Sequence, residues 1–460
     1  MITKFAFRSI VILALALGLF NAPAQAQTTP ALYIAPDGND ANACTLTAPC
    51  LTLPRAYDLA TPGTTIYLRS GVYYSRNEWQ LSGRNTIIIT AYPADIVLGY
   101  ERPIIDGTYA GLGELDNVIQ ISSSQTVTVS HLEVRNSSGR GISSAGSSRN
   151  ITFYRLYVHH IGERCIGLVG SYITLDSSHA YECALNWKTY IGGGGWPGGV
   201  SSWWKSGTSV RSDHIAIINS TIQRVYGEGV IFLHADNGLI YNSAIIDSKS
   251  VNLYIDDANF ITADYVTINN TDPAFLKNGR YAHGIEIGNE SYSRAMTAIT
   301  VTNSTIAGAD NAIYFFCFQA GCGYGDLKIA NNRADGRSYG IKINTADSVT
   351  GENVLSGNVF SGTFQLAQPQ FWSVVSNINS GITSTPTRTR TPTRTRTATW
   401  TTSPTPSPTP SLSPSPSPSD TPSPTPSETA TSAPTNTALA TMDCPGVIVV
   451  IGNTAYCFGE

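Results

Sequence analysis

A short phrase of alternating apolar and polar residues, broken by a corner residue, recurs along the middle of this chain. It begins at Val127, Ile151, Ile173, Ile215, Leu239, Ile261, Ile299 and Leu327, with a looser copy at Val354. The intervals are 24, 22, 42, 24, 22, 38, 28 and 27 residues. A second phrase, a small residue and then apolar alternation, follows each: RGISS, RCIGLV, ECALNW, EGVIFL, VNLYID, HGIEIG, NAIYFF and YGIKIN. Period-two alternation in such short segments means strands with one buried face. Helical periodicity is almost absent between residues 80 and 380. Two or three strands in each repeat of 22–28 residues suit one turn of a coil whose stacked turns bury a continuous core. The expected fold is all-β: a right-handed, single-stranded parallel β-helix, with insertions in the two long intervals. Leucine-rich repeats are excluded by the lack of Leu-x-x-Leu-x-Leu, and propeller blades need longer repeats with hairpin turns.

A solenoid must cover its open ends. Residues 52–61 place Leu53, Ala56, Tyr57 and Ala60 on one helical face, as an N-terminal capping helix requires. Ahead of it, residues 1–26 have the form of a signal peptide: Lys4 and Arg8, an apolar run from Ile10 to Phe20, then Ala24-Gln25-Ala26. That run is 11 residues long, and spanning a bilayer takes about 20. The mature protein is therefore expected to be exported and not membrane-spanning. Residues 27–110 hold the cap and first coils, and 111–380 the repeats, with a Trp/Gly-rich insertion at 185–212. Residues 381–441 are nearly all Thr, Pro and Ser, a disordered stalk with too little apolar surface to offset its ordering entropy. Residues 442–460 form a short tail with the pattern of a hairpin, too small to hold a core without a disulfide.

Eight cysteines fall into four close pairs: Cys44/Cys50, Cys165/Cys183, Cys317/Cys322 and Cys444/Cys457. In an exported chain with no Cys-x-x-Cys or Cys/His cluster, these are expected as disulfides. Between 28 and 380 there are 22 Lys and Arg against 28 Asp and Glu. That balance argues against nucleic acid as a partner. It also opposes a polyanionic substrate unless a bound cation intervenes.

The stretch from Leu32 through Tyr74, followed by Ile87 to Thr108, resembles the N-terminal segment of the pectin-lyase-like β-helix superfamily. The resemblance covers roughly residues 32–108 by motif and 110–365 by repeat pattern. It implies the fold and an extracellular polysaccharide as partner. It does not choose a reaction, because that superfamily holds lyases, hydrolases, epimerases and non-catalytic proteins.

Outward side chains of successive coils stand in columns about 4.8 Å apart. Taking the second phrase as one face, the outward set holds Glu228, Tyr254, Asp256, Glu286, Tyr314 and Lys342, with Asp257 and His283 at strand ends. Two chemistries use such a set. In a lyase, carboxylates hold Ca²⁺, the ion neutralises a uronate, and a Lys or Arg removes the acidified proton. Asp256, Asp257, Glu286 and Asp236 are the candidate ligands; Lys342, Lys249 or Arg280 is the candidate base. In a hydrolase, two carboxyl groups flank the glycosidic bond, and Asp256, Asp257, Glu286 and Glu228 can supply them. The segments YIDDA, AHGIEIG and YGIKIN resemble the DD, GHG and RIK motifs of polygalacturonases, which implies catalytic Asp256 and Asp257, a supporting His283 and a uronate-binding Lys342. Ala282 and Ile341 depart from those motifs, and only HADNG stands one coil earlier. Plain corner duty accounts equally for Asp256, Asp257 and Asn259, and His159 and His160 have no assignable carboxylate partner.

The insertion NWKTYIGGGGWPGGVSSWWKSG holds Trp187, Trp196, Trp203 and Trp204, four of the seven tryptophans. Indole faces stack on sugar rings and glycines allow close backbone approach, so these four are the candidate substrate-binding residues together with Tyr254 and Tyr314. The leading expectation is a secreted, monomeric polysaccharide lyase acting on a uronate-containing chain with Ca²⁺. A polygalacturonase-like hydrolase and a non-catalytic carbohydrate-binding or surface β-helix are the alternatives.

Overall fold

The computed structural model describes residues 30–380, except 98–101, 109–110, 114–115, 193–195, 204–209, 291–294 and 319, and the backbone of Val447–Ile451 and Thr454–Phe458. The expected signal peptide, the stalk, Trp204 and the Cys444–Cys457 bridge lie outside the described residues. The chain divides into two units, Met1–Ser384 and Thr385–Glu460. In the second, Val447–Ile451 and Thr454–Phe458 pair antiparallel.

The first unit is a parallel β-helix with three strands per coil, which form stacks A, B and C. Stack A is one parallel sheet of 13 strands, from Ala31–Ile34 to Trp372–Val375. Stack B includes Glu133–Ser137, Tyr157–Ile161, His179–Cys183 and Thr221–Val225. Stack C includes Arg140–Ala145, Ile166–Gly167, Gly198–Ser202, Glu228–Leu233, Val251–Asp256 and His283–Asn289. The first repeated phrase is stack A running into B. The second is stack C, with one correction: ECALNW ends a B strand and enters the 3₁₀ turn Leu185–Trp187, and that coil's C strand is Gly198–Ser202.

Register is strict because each inward residue must meet its counterpart one coil away. Val129, Phe153, Leu175, Ile217, Ile240, Ala263, Val301, Ile329 and Leu355 form one unbroken inward column. From the strand Gln125–Ser130 onward, each A-to-B corner is turned by a left-handed residue, among them Ser177, Asn219, Asn242, Asn303 and Asn331. In seven coils the next residue is Ser or Asn, and its side chain accepts a backbone N–H from the coil before. Ser178, Ser220 and Ser243 do this in one run; Ser304, Asn332, Asn358 and Asn377 do it in another. Polar groups that the core would otherwise leave unsatisfied are thus paired rung to rung.

Helix Leu53–Leu59 forms where the sequence places it. Thr52 caps it by accepting the Arg55 N–H at 3.3 Å, and Leu53, Ala56 and Tyr57 are buried. Disulfides join Cys44–Cys50, Cys165–Cys183 and Cys317–Cys322. No helix among the described residues is long and apolar enough to cross a membrane. Both long intervals carry residues outside the three stacks; the described ones are 184–192, 196–197, 203 and 210–211 in one and 270–282, 290 and 295–298 in the other.

The asparagine run makes a contrast between neighbours. Asn332 accepts the Ser304 N–H at 2.9 Å and donates to the Val301 carbonyl at 2.9 Å and to Asn358 at 3.0 Å. Asn332→Ala is expected to cost about 2–4 kcal/mol through stranded buried partners. Asn331→Gly, at an exposed left-handed corner (φ 58°), should stay within about 0.5 kcal/mol of wild type. Urea denaturation of both variants measures the difference.

Candidate active site

Stack C carries an outward cleft of about 690 Å³, floored by Glu228–Leu233, Val251–Asp256 and His283–Asn289. Alternation along these strands sends Val230, Phe232, Leu253, Ile255, Ile285 and Ile287 into the core. It leaves Ile231, Tyr254, Asp256 and Glu286 facing the cleft, and Glu228 and His283, the first residues of their strands, line it as well. Ile231, Tyr254 and Glu286 stand on successive rungs of one column. Trp196 and Trp203 of one insertion and Lys277, Arg280 and Tyr281 of the other also line the cleft, together with Ser201 and Ser202 of the stack C strand Gly198–Ser202.

The floor gathers like charges. Burial pushes the Glu228 carboxyl well above the usual carboxylate range, and the charges of Glu286, Glu290 and Asp256 add to the effect. Asp256 is pushed up to about 7, chiefly by burial and then by repulsion from Glu290, Asp257 and Glu286; the Glu290 N–H at 3.3 Å works against this. Glu286 is held by a donor: His283 Nδ1 lies 2.6 Å from its Oε2, and His283 Nε2 lies 3.3 Å from Asn311 Nδ2. Lys277 is lowered by burial, an effect that Glu228 and Glu286 oppose. One cleft therefore holds two carboxyl groups biased toward the protonated form, a third paired with a histidine, and a lysine.

The expected metal set does not assemble. Asp257 follows Asp256 at a left-handed corner (φ 46°) and leaves on the other side, where it is buried against His234 (2.7 Å) and Arg211 (3.0 Å). Asp236 also pairs with Arg211, at 2.8 Å, and accepts from Asn259. These acids hold a turn rather than line the cleft. Among the described residues, no group of three or more His, Cys, Asp or Glu side chains is placed to hold a metal ion. The residues present do not fit Ca²⁺ in the set expected from sequence.

The candidate bases are also dispersed. Lys342 lies farther along the column, its Nζ 4.8 Å from the ring centres of both Tyr314 and Tyr339. Lys249 lines the cleft but is buried, and its Nζ donates to the carbonyls of Trp187, Lys188 and Tyr190. Arg280 is an exposed rim residue 3.9 Å from Asp310. Of the tryptophans, Trp187 donates to Glu163 at 3.0 Å and packs edge-on against Tyr190. Trp196 is buried beneath Lys277, whose Nζ is 4.5 Å from its ring centre, so its indole face is already covered. Trp203 lines the cleft beside Arg164.

Sequence reasoning missed Lys277, Glu290 and Arg164. The first two lie in the interval of 38 residues, whose length was the available signal. It also left His159 and His160 without acids; the fold brings Glu133 to His159 and Glu182 to His160, each at 3.1 Å.

The raised carboxyls have a consequence for stability. Asp256 titrates near 7 in the fold against 3.8 ordinarily. Between those values the folded state binds more protons, so stability falls as pH rises through that window. Asp256→Asn removes a penalty on the order of 3 kcal/mol at pH 8. Calorimetry should show the variant melting about 2–4 °C above wild type at pH 8 and level with it at pH 4.

Comparison with known proteins locates the fold. Residues 32–220 match the family model described as Pel9A-like, right handed beta helix region. That match ends before Glu228, so it does not reach the carboxyl groups of the cleft. Pectate lyase PEL9 of Emericella nidulans is 39% identical over 93 residues, which are 19% of this chain and 22% of that protein. The chain thus spans about a fifth of the length of this curated relative. The GH136 lacto-N-biosidase from Eubacterium ramulus superposes with a TM-score of 0.52 at 12% identity, covering 76% of this chain and 67% of that one. Pectate lyase Pel9A gives 0.40 at 16% identity, covering 66% and 79%. With the repeat, the three-stack coil and the match over residues 32–220 together, the chain is a right-handed parallel β-helix similar to the Pel9A-like family.

Proposed function

We propose that this chain is an exported, monomeric polysaccharide-cleaving β-helix that breaks glycosidic bonds by carboxyl acid–base chemistry in the cleft of stack C. The observation that carries this reading is the division of labour among its acids. Glu228 is biased to keep its proton at neutral pH, while Glu286 is held by His283. Hydrolysis needs that asymmetry: one carboxyl protonates the departing sugar oxygen and another activates water or attacks the anomeric carbon. Glu228 is the acid in this scheme and Glu286 the base or nucleophile. His283 is a positioning residue for Glu286. Asp256, titrating near 7, supports the proton inventory of the cleft. The disulfides are compatible with an oxidising, extracellular setting.

A second reading, β-elimination on a uronate, is favoured by the Pel9A-like match and by Lys277. Its amine is lowered by burial and lines the same cleft, which suits a proton-abstracting base. Bound Ca²⁺ would supply uronate neutralisation, but no step is routed through it because the expected donors lie apart. Protonated Glu228 and Asp256 can instead donate hydrogen bonds to a uronate carboxylate.

The test is incubation of the full chain with pectate, alginate, glycosaminoglycan and neutral polysaccharides, with and without Ca²⁺. Both reducing ends and ultraviolet-absorbing unsaturated ends are followed. Hydrolysis predicts reducing ends without unsaturation, lost at least 100-fold in Glu228→Gln and nearly intact in Lys277→Met. Activity should fall as pH rises through 7, where Asp256 gives up its proton. Unsaturated ends that vanish in Lys277→Met would replace the hydrolytic reading with the eliminative one. Binding with no cleavage of any kind would leave a carbohydrate-binding β-helix.

A further inference from the structure

At one end of the cleft stands a positive charge that no carboxylate of the described residues meets in a hydrogen bond or ion pair. Arg164 lines the cleft wall, its guanidinium 4.0 Å from the centre of the Trp203 ring. Arg140 occupies the rung before it: the neighbouring Gly141 N–H donates to the Arg164 carbonyl, and the Arg140 guanidinium lies 6.0 Å from the same indole. Among the described residues no carboxylate hydrogen-bonds or ion-pairs with either arginine, and Arg164 Nε is sealed from water without an acceptor. Glu163 beside it is committed to Trp187 and Asn186. Glu228, biased toward its protonated form, offers no firm counter-charge. Burial and the charge of Arg140 bring the Arg164 guanidinium down to about 9.

Such an arrangement is unfavourable in the free protein. Like charges on neighbouring rungs repel, and a buried charge without a partner is strongly destabilising. Neutral donors gather at the same place. The hydroxyls of Ser201, Ser202 and Tyr254 and the Trp196 indole N–H line this cleft, lack partners, and belong to residues more than nine-tenths buried. The indole of Trp203 is positioned independently of any ligand. It rests over Gly167, where an added Cβ would sit 3.0 Å from the ring, and the Ser212 hydroxyl donates to its carbonyl.

We propose that Arg164 is a specificity-determining residue that binds an anionic substituent, a carboxylate or a sulfate ester, on a sugar unit adjoining the carboxyl groups. Trp203 backs the guanidinium, and Ser201 and Ser202 complete the donor set. The anion supplies the missing counter-charge, so substrate and protein relieve the same unpaired group. The inference rests on the reading of this cleft as the substrate site.

The test uses the full chain and its Arg164→Gln, Arg164→Lys and Ser201→Ala variants in affinity electrophoresis. Gels contain polygalacturonate, alginate or dextran sulfate, with carboxyl-reduced polygalacturonate and plain dextran as neutral counterparts. Wild type is expected to be retarded by at least one anionic polymer. Arg164→Gln should weaken that binding at least tenfold, Arg164→Lys and Ser201→Ala less, with neutral polymers unaffected. The polymer that binds separates a carboxylate preference from a sulfate preference. Thermal melts run alongside, and Arg164→Gln should melt above wild type because an unpaired charge is gone. Undiminished binding by Arg164→Gln, equal retardation by neutral polymers, or no retardation by any anionic polymer would overturn the proposal. Lower melting of both Arg164 variants would make the residue structural and overturn it too. Retardation needs no turnover, so failure of the cleavage reading leaves this result standing. Cleavage of an anionic polymer that ignores Arg164 would sink this inference alone.

Discussion

Rung-to-rung register is the constraint on which everything else in this molecule rests. A parallel coil has no hairpin to set its pairing, so each turn must bring the next strand back beneath the last in the same phase. Left-handed corner residues make that return possible, and the buried Ser and Asn runs fasten it. Once the phase is held, side chains from residues 228, 256 and 286 meet in one cleft although they are far apart in sequence. A slip of one residue would turn Tyr254, Asp256 and Glu286 toward the core and Leu253, Ile255 and Ile285 toward water.

The cleft works against the stability that the coils provide. Burial and neighbouring acids raise the proton affinity of Glu228 and Asp256, and among the described residues no carboxylate hydrogen-bonds or ion-pairs with the arginines at its end. Acids and bases elsewhere on the surface are treated differently. Arg135 with Asp106, Arg224 with Glu182, and Arg69 with Asp95 are all paired. Unsatisfied polar groups concentrated in one concavity are the physical mark of a site built for something else to occupy.

Much of the architecture was legible in the sequence because it repeats. Apolar alternation and corner residues recur in nearly every coil, so an error in one coil is outvoted by the rest. Helix Leu53–Leu59 was legible for the same kind of reason, a clean apolar face behind a Thr cap. Column membership was recoverable as well, which is why Glu228, Tyr254, Asp256, His283 and Glu286 were found together. What sequence could not supply was the side on which a corner residue leaves the coil. Asp256 and Asp257 are adjacent in the chain, yet one faces the cleft and the other Arg211 and His234. Insertions were unreadable in detail because no repeat constrains them, so Lys277 emerged only when walls and floor met; Arg164, at the head of the phrase RCIGLV, was in plain view but gave no sign that it lacked a partner. The breaks in periodicity nonetheless pointed to the place: the two long intervals flank the same face.

Lys249 gives the larger insertion an unusual mechanical character. Its ammonium donates to three carbonyls at the end of the Leu185–Trp187 turn, so the stem of the insertion is fastened to a coil there, beside the bonds that Asn186 and Trp187 make to Ser138 and Glu163. Scaffold and wall are thus joined at a few named points near the stem. A lineage that kept the lysine and these ties could exchange the residues between them while inheriting the floor of the cleft unaltered.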